Sequence, residues 1–334
     1  MISRRSLLSG LAAGASLLPA MDAQAQSERE FHVFMILFRG WEDACDGFRD
    51  YLRSRNLRVR ITIFDLDQDI KKAAEAVELA RVAKPDLVFV WGTSTAIAVL
   101  GPWDAPDPKR HLVEFPAVFC IVTDPVASRI VKSNEDTGRN VTGVEYLAPL
   151  SVQLRAMALY KPFRKVGIVF NPREQNSLST VRGLEALERD FGFELSRHPV
   201  RSEAGPDLPA GELRDRVNEV KQTDADWIFI PPDTLLNVNR DALTQSALEM
   251  NLPTFSSTER FVRDSNGLCG LVSRYWSVGA FAGFKAEQIL LGAKTARNSP
   301  VELLARFSYL VRLDTAKSLR APPPLKVMKV AELV

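Results

Sequence analysis

Histidine, cysteine and unbalanced charge are all scarce in this 334-residue chain, and each scarcity closes off a class of function. The three histidines (His32, His111 and His198) stand alone, and the three cysteines (Cys45, Cys120 and Cys269) are far apart. No metal-ligand spacing exists among them, so no metal centre is expected. Cys120 and Cys269 lie inside apolar runs, which reads as buried, inert thiols. With 43 basic residues against 41 acidic, the net charge of +2 gives no electrostatic reason to expect nucleic acid or an anionic membrane as partner. Phosphate-binding glycine loops and dinucleotide fingerprints are also missing, and no cofactor is expected. Beyond the N-terminus, no segment approaches the roughly 18 consecutive apolar residues of a membrane span.

The first 25 residues have an export pattern instead. Arg4 and Arg5 precede the uncharged, mostly apolar run from Ser6 to Met21, and Ala23-Gln24-Ala25 closes it as a small-residue cleavage site. The stretch "SRRSLL" also resembles a twin-arginine signal. Cleavage near Ala25 would remove two Arg and one Asp, leaving 41 basic residues against 40 acidic. A periplasmic protein starting at or near Gln26 is expected, with no membrane insertion after cleavage.

Apolar runs of strand length then alternate with amphipathic stretches of helix length. Strands are expected at 31–38, 59–64, 87–91 and 117–122, with helices over 42–56, 70–84 and 94–101 between them. The plan repeats with strands at 166–170, 193–200, 227–230 and 252–255, and helices over 178–192, 212–223 and 240–251. Gly192 and Asn251 sit where C-terminal caps belong. Such alternation implies parallel sheets covered by helices on both faces. Extended runs at 140–149, 268–276 and 306–314 predict three connections between two α/β lobes, with a helix over 278–292. The Pro run at 322–324 marks an extended tail. The expected division is a signal peptide (1–25), a first lobe (26–145 plus 275–305) and a second lobe (146–274 plus 306–334).

In open parallel sheets, ligands bind beyond the carboxyl ends of the strands. Here those ends carry Thr93, Ser94 and Thr95; Thr123 and Asp124; Asn171, with Asn176 and Ser177 beyond it; Asp233; and Ser256 with Ser257. Each could simply cap a helix, since these are the preferred N-cap residues. Capping and binding are compatible, because a helix N-terminus is itself an anion site. Five such ends facing one cleft would suit a small polar ligand bearing a carboxylate, held near Thr93, Ser94, Thr95 and Thr123. Phe38, Trp41, Tyr275 and Trp276 could wall the cleft, and Arg39 or Arg274 could reach a carboxylate. Asp124-Pro125 reads as the start of a helix, with the carboxylate spent on capping. Asp233 follows two prolines with no clear helix before about Asn239, and reads as a loop carboxylate free to accept from a ligand ammonium.

Five segments, "DLVFVWGTSTAIAV", "FPAVFCIVTDPVASRIV", "GRNVTGVEY", "KVGIVFNPREQNS" and "LLGAKTARNSPVE", resemble the substrate-binding proteins of ABC transporters related to the tryptophan/tyrosine uptake type. That resemblance implies a type I periplasmic-binding-protein fold, with two doubly wound parallel-sheet lobes joined by a three-strand hinge. It also implies capture of a small molecule and docking onto an inner-membrane permease. Where better-known members carry His-Pro after the first strand, this chain has "RGWEDACDGF". Near the C-terminus, the family's Asn and Leu-Gly give way to Asp314 and to Leu319-Arg320.

Two other classes remain at this point. A sensor would use the same lobe closure but present it to a receptor. A serine hydrolase would use Ser94, because Gly92-Thr93-Ser94-Thr95-Ala96 falls one residue short of the nucleophile-elbow pattern, and it would need a downstream Asp and His.

Overall fold

The first strand shows how the sheets are built. β1 (Phe31–Leu37) is buried along its whole length, as expected of a parallel strand with helices on both faces. In the computed structural model, which describes residues 29–201 and 208–334, its side chains alternate between two cores. Phe31, Val33, Met35 and Leu37 enter one, and Phe34 and Ile36 the other. The export-like segment lies outside the described residues.

The chain continues through α1 (Asp43–Ser54), β2 (Val59–Asp65), a short 3₁₀ turn, α2 (Ala73–Ala83), β3 (Leu87–Trp91) and α3 (Thr93–Leu100). β4 (Ala117–Val122) and β5 (Val141–Glu145) complete the first run, and α4 (Leu150–Tyr160) opens the second. Then come β6 (Lys165–Phe170), α5 (Gln175–Phe191), β7 (Glu194–Pro199), α6 (Glu212–Gln222) and β8 (Trp227–Ile230). α7 (Thr234–Val238), α8 (Arg240–Glu249), β9 (Thr254–Ser256), α9 (Arg260–Arg263) and β10 (Cys269–Val272) follow. The last elements are α10 (Tyr275–Leu290), β11 (Glu302–Leu303), β12 (Ser308–Val311), α11 (Leu313–Ser318), α12 (Leu325–Met328) and β13 (Ala331–Leu333).

Two sheets result. The first has the order β11-β5-β4-β3-β1-β2 and is parallel throughout. The second has the order β13-β12-β10-β9-β8-β6-β7 and is parallel except where β12 runs against β10. Helices cover both faces of each. In the first lobe, α1 and α10 cover one face, and α2 with α3 the other. In the second, Val166 and Ile168 pack toward α4 and α5, whereas Val169 packs toward α6 and α8. This is the two-lobed type I periplasmic-binding-protein architecture.

The chain passes between the sheets three times, at residues 146–149, 273–274 and 304–307. The first two crossings are joined, because the Ser273 hydroxyl donates to the Tyr146 carbonyl and the Tyr146 and Tyr275 rings meet edge to face at 5.9 Å. After the second crossing, α10 lies against α1 with the two backbones in contact. A Cβ at Gly47 would sit 1.9 Å from the Trp276 carbonyl oxygen, and one at Gly279 would sit 1.8 Å from that of Ala44. Only glycine fits at either position.

Several expectations are corrected. The apolar stretch after Asp124 forms turns, not a helix. α10 begins at Tyr275 rather than 278, so the extended run from 268 ends earlier. The Pro-rich tail is not simply extended: it forms α12 and then β13, which pairs with β12. All three cysteines are free and buried, and burial pushes the Cys45 thiol up to about 12.

Candidate functional site

The carboxyl ends of β1, β3 and β4 on one side, and of β6 and β8 on the other, meet across a narrow cavity. On the first-lobe side, Gly92 turns the chain from β3 into α3 at φ +88°, a conformation that glycine adopts at no steric cost. The N-terminus of α3 therefore opens on the cavity with Thr93, Ser94 and Thr95. The Thr93 hydroxyl is engaged by the Thr123 amide at 2.9 Å, and the Thr123 hydroxyl lies 3.3 Å from that of Tyr146. The ladder between β4 and β5 slips between Phe119 and Val122, leaving Ile121 at φ +56° on the cavity wall. A β-branched residue in that region is strained, and such strain gathers at functional sites.

Arg39 lies at the end of β1. Its guanidinium rests 4.7 Å above the Trp91 ring and forks onto Glu42, with Nε at 2.8 Å and Nη2 at 3.3 Å from the carboxylate oxygens. Arg39 and Trp91 both line the cavity, with Phe38 beside them and Tyr275 at the hinge.

The second-lobe side is built around two carboxylates. Asp233 caps α7, accepting from the Leu236 amide at 2.9 Å, the Asn171 amide at 2.7 Å and the Ser177 hydroxyl at 2.5 Å. Glu174 accepts from the Thr234 and Leu235 amides at 2.9 and 3.0 Å, and from the Asn176 and Asn171 side-chain amides at 3.0 and 3.2 Å. Burial, reinforced by the nearby Glu174 charge, raises the Asp233 carboxyl to about 7. Asp233 is therefore not the free loop carboxylate that the two prolines suggested. They precede an N-cap, and the side chain is committed to its own lobe.

Of the residues singled out from sequence, the structure brings Phe38, Arg39, Thr93, Ser94, Thr95, Thr123, Asn176, Asp233 and Tyr275 to this cavity. Asn171 and Ser177 are buried just behind it, holding Asp233. Ser256 and Ser257 are buried and turned to structure, with hydroxyls donating to the Thr258 carbonyl and to Gln153 Oε1. Asp124 is exposed, takes the Ala127 amide at a turn and lines a neighbouring groove. Trp41 and Trp276 are exposed and donate to Asp46 and Asp50, and Arg274 pairs with Glu332. Sequence reasoning missed Trp91, Tyr146, Thr234 and Asn237 on the wall, and Glu174, which holds the Thr234 and Leu235 amides; Thr258, at the end of the 252–255 strand, does line it. Trp91 could have been found as the last residue of a strand whose carboxyl end faces the cleft.

Trp91 Nε1, Thr95 Oγ1 and Asn176 Oδ1 are buried without a hydrogen-bond partner among the described residues, and all three residues line this cavity. Two belong to one lobe and the third to the other. The described histidines are occupied elsewhere: His111 accepts from the Asp107 amide, His198 faces Glu219 and His32 faces Thr62. None of the described histidines lines the cavity, so none stands by Ser94 to complete the Ser-Asp-His pattern.

A family model described as ABC transporter substrate binding protein matches residues 36–334. The tyrosine-binding protein of Clostridioides difficile (strain R20291) is 25% identical over 238 residues, which is 71% of this chain; the alignment spans 63% of that relative's length. Among solved structures, the ABC domain from Streptococcus pneumonia in complex with L-Trp superposes with TM-score 0.75 at 21% identity, covering 90% of this chain and 99% of that one. A conserved domain protein from Vibrio cholerae superposes with TM-score 0.79 at 19% identity, covering 91% and 99%.

Proposed function

Since this chain belongs to the ABC transporter substrate-binding protein family, and so is a binding protein rather than a hydrolase, we propose that it captures a small carboxylate-bearing ligand, an amino acid or similar. The ligand sits between the two lobes and is delivered to a membrane permease. The observation that carries the reading is the set of orphaned, buried polar atoms on residues that line the cavity. Burying a polar group without a partner is costly, and a ligand that pairs it recovers that cost. Trp91 Nε1 is a donor and Thr95 Oγ1 can act as one, whereas Asn176 Oδ1 is an acceptor. A matching ligand carries an acceptor group toward the first lobe and a donor toward the second. A carboxylate fits the first requirement, next to Thr93, Ser94, Thr95 and Thr123 at the N-terminus of α3. An ammonium or amide fits the second. The relatives named for tyrosine and solved with L-Trp support an amino-acid ligand.

The lobes that close are residues 26–145 with 275–305, and 146–274 with 306–334. The ligand is taken up in the periplasm after cleavage near Ala25. A thermal-shift screen of amino acids and small carboxylates on the purified mature protein tests the proposal. A ligand at 100 times its dissociation constant adds about 2.7 kcal/mol of stability. A panel in which no carboxylate raises the melting temperature refutes it.

A further inference from the structure

The stretch that departs from the family pattern, Arg39 to Glu42, also forms an ionic contact between the lobes. Glu42 precedes α1 in the first lobe and receives the Arg39 fork. The same Oε1 accepts from Arg260 Nη1, in α9 of the second lobe, at 2.9 Å. The Arg39 and Glu42 side chains are each only 8% exposed, whereas Arg260 is 34% exposed and also pairs with Asp264 at 3.0 Å. A desolvated carboxylate gains far more from a cation than a surface one does, so the Arg260 contact is not an ordinary surface pair. Arg39 commits Nε and Nη2 to Glu42, and its Nη1 makes no hydrogen bond among the described residues. The plane that carries Nη1 is fixed by the Trp91 ring beneath it, and both residues line the cavity. Trp91 Nε1, itself unpaired, adds a second donor from the same corner.

Taking the carboxylate ligand of the preceding section as given, we infer that Arg39 binds its anionic group, and that Glu42 couples this contact to lobe closure through Arg260. Arg39 is then a specificity-determining residue: it favours a ligand that presents a carboxylate at the end of β1. Glu42 is a positioning residue. It orients the Arg39 fork within the first lobe, and it gains Arg260 only when the second lobe comes up to it. Each contact adds to the other, because an anion on Arg39 fixes the fork and a fixed fork keeps Glu42 in place for Arg260. Separation of the lobes breaks the Arg260 contact and leaves the Arg39 fork intact.

The test uses the mature chain and the variants Arg39→Gln, Arg39→Lys, Glu42→Gln and Arg260→Gln, each first checked for a cooperative melt. Calorimetry with L-tyrosine, L-tryptophan and their neutral carboxamides reads the anion contact. The wild type should prefer the free acid, and Arg39→Gln should weaken acid binding by about 30-fold while abolishing that preference. Arg39→Lys keeps a charge without the fork and should recover part of the preference, which separates charge recognition from a folding defect. Stopped-flow dissociation of the same acid reads the cross-lobe contact. Arg260→Gln should release it several-fold faster with the association rate nearly unchanged, and adding it to Glu42→Gln should change nothing further. Equal binding of acid and carboxamide by the wild type overturns the role of Arg39. Fully additive effects of Glu42→Gln and Arg260→Gln on release overturn the coupling. If the wild type binds neither acid nor carboxamide, an aromatic amino-acid ligand is ruled out together with this inference, a pattern distinct from either result.

Discussion

At the end of β3, the chain turns at Gly92 and enters α3 with its first hydroxyls on the cavity wall, one of them, Thr95 Oγ1, unpaired. At the end of β8 it passes Pro231 and Pro232 and enters α7 behind Asp233, whose carboxylate is filled by Asn171, Ser177 and Leu236. Both junctions are strand, short turn and helix, and both face the same space. Their polar groups are used in opposite ways. The first lobe keeps donors open, whereas the second uses the buried Asp233 and half-buried Glu174 carboxylates to tie its β6 and β8 ends together and leaves the Asn176 amide oxygen as its open acceptor. The same punctuation in sequence thus marks a binding edge in one lobe and a structural staple in the other.

The sharpest way to break this contrast is to remove the staple. Asp233→Ala strands two backbone amides and a buried hydroxyl, and should lower unfolding free energy by roughly 3 kcal/mol or more, read by urea denaturation. A loss under 1 kcal/mol would mean that the second lobe does not depend on it. A smaller effect is expected from pH. The Asp233 carboxyl is raised in the folded protein, so between its unfolded value near 4 and about 7 the folded state holds the extra proton. Its contribution is therefore favourable at low pH and is lost as pH rises through about 7. Urea midpoints of Asp233→Asn should lack that component of the fall, and parallel pH profiles for the two proteins would contradict it.

On the first-lobe side the expected signs differ. Thr95→Val removes an unpaired buried hydroxyl at nearly constant volume, so stability should hold or rise by up to about 1 kcal/mol while ligand affinity falls by roughly as much. Stability and affinity falling together would place Thr95 in a structural bond instead. Ser94→Ala should show the smallest effect. The Ser94 hydroxyl has no partner among the described residues, so the melting temperature should not move and ligand binding should weaken by about 1 kcal/mol or less. A serine-hydrolase probe that labels the wild type at Ser94 would contradict the binding-protein assignment.

Much of the fold was legible because parallel strands buried on both faces leave unbroken apolar runs. The runs at Leu87–Trp91, Ala117–Val122 and Trp227–Ile230 match the observed strands end to end. What escaped was short or fixed from afar. α7 is five residues long behind two prolines, and the turns after Asp124 carry apolar residues at helical spacing. α4, at the first crossing, went unread beside the extended run that precedes it. In the site, hydroxyls at strand ends were visible from composition, but their use was not. Glu174 reaches the α7 amides from 60 residues earlier, and nothing local to Asp233 signals that its carboxylate is already filled. Trp91 reads as core because a strand's last residue looks like its others until the cleft beyond it is known.

The contact between α1 and α10 has a mechanical consequence. α10 starts with Tyr275 directly after the crossing at 273–274, and its Trp276 and Gly279 lie against Gly47 and Ala44 of α1 without a side chain between them. Two helices touching backbone to backbone cannot slide or roll without collision, since there is no layer of rotamers to absorb the motion. The two run parallel, with Tyr51 and Arg55 reaching Glu287 toward the far end, so the pair behaves as a single shaft whose near end lies at both the crossing and the corner that holds Glu42. Any twist of the backbone at Ser273 and Arg274 arrives at that corner undamped, and a bending hinge becomes a rigid crank.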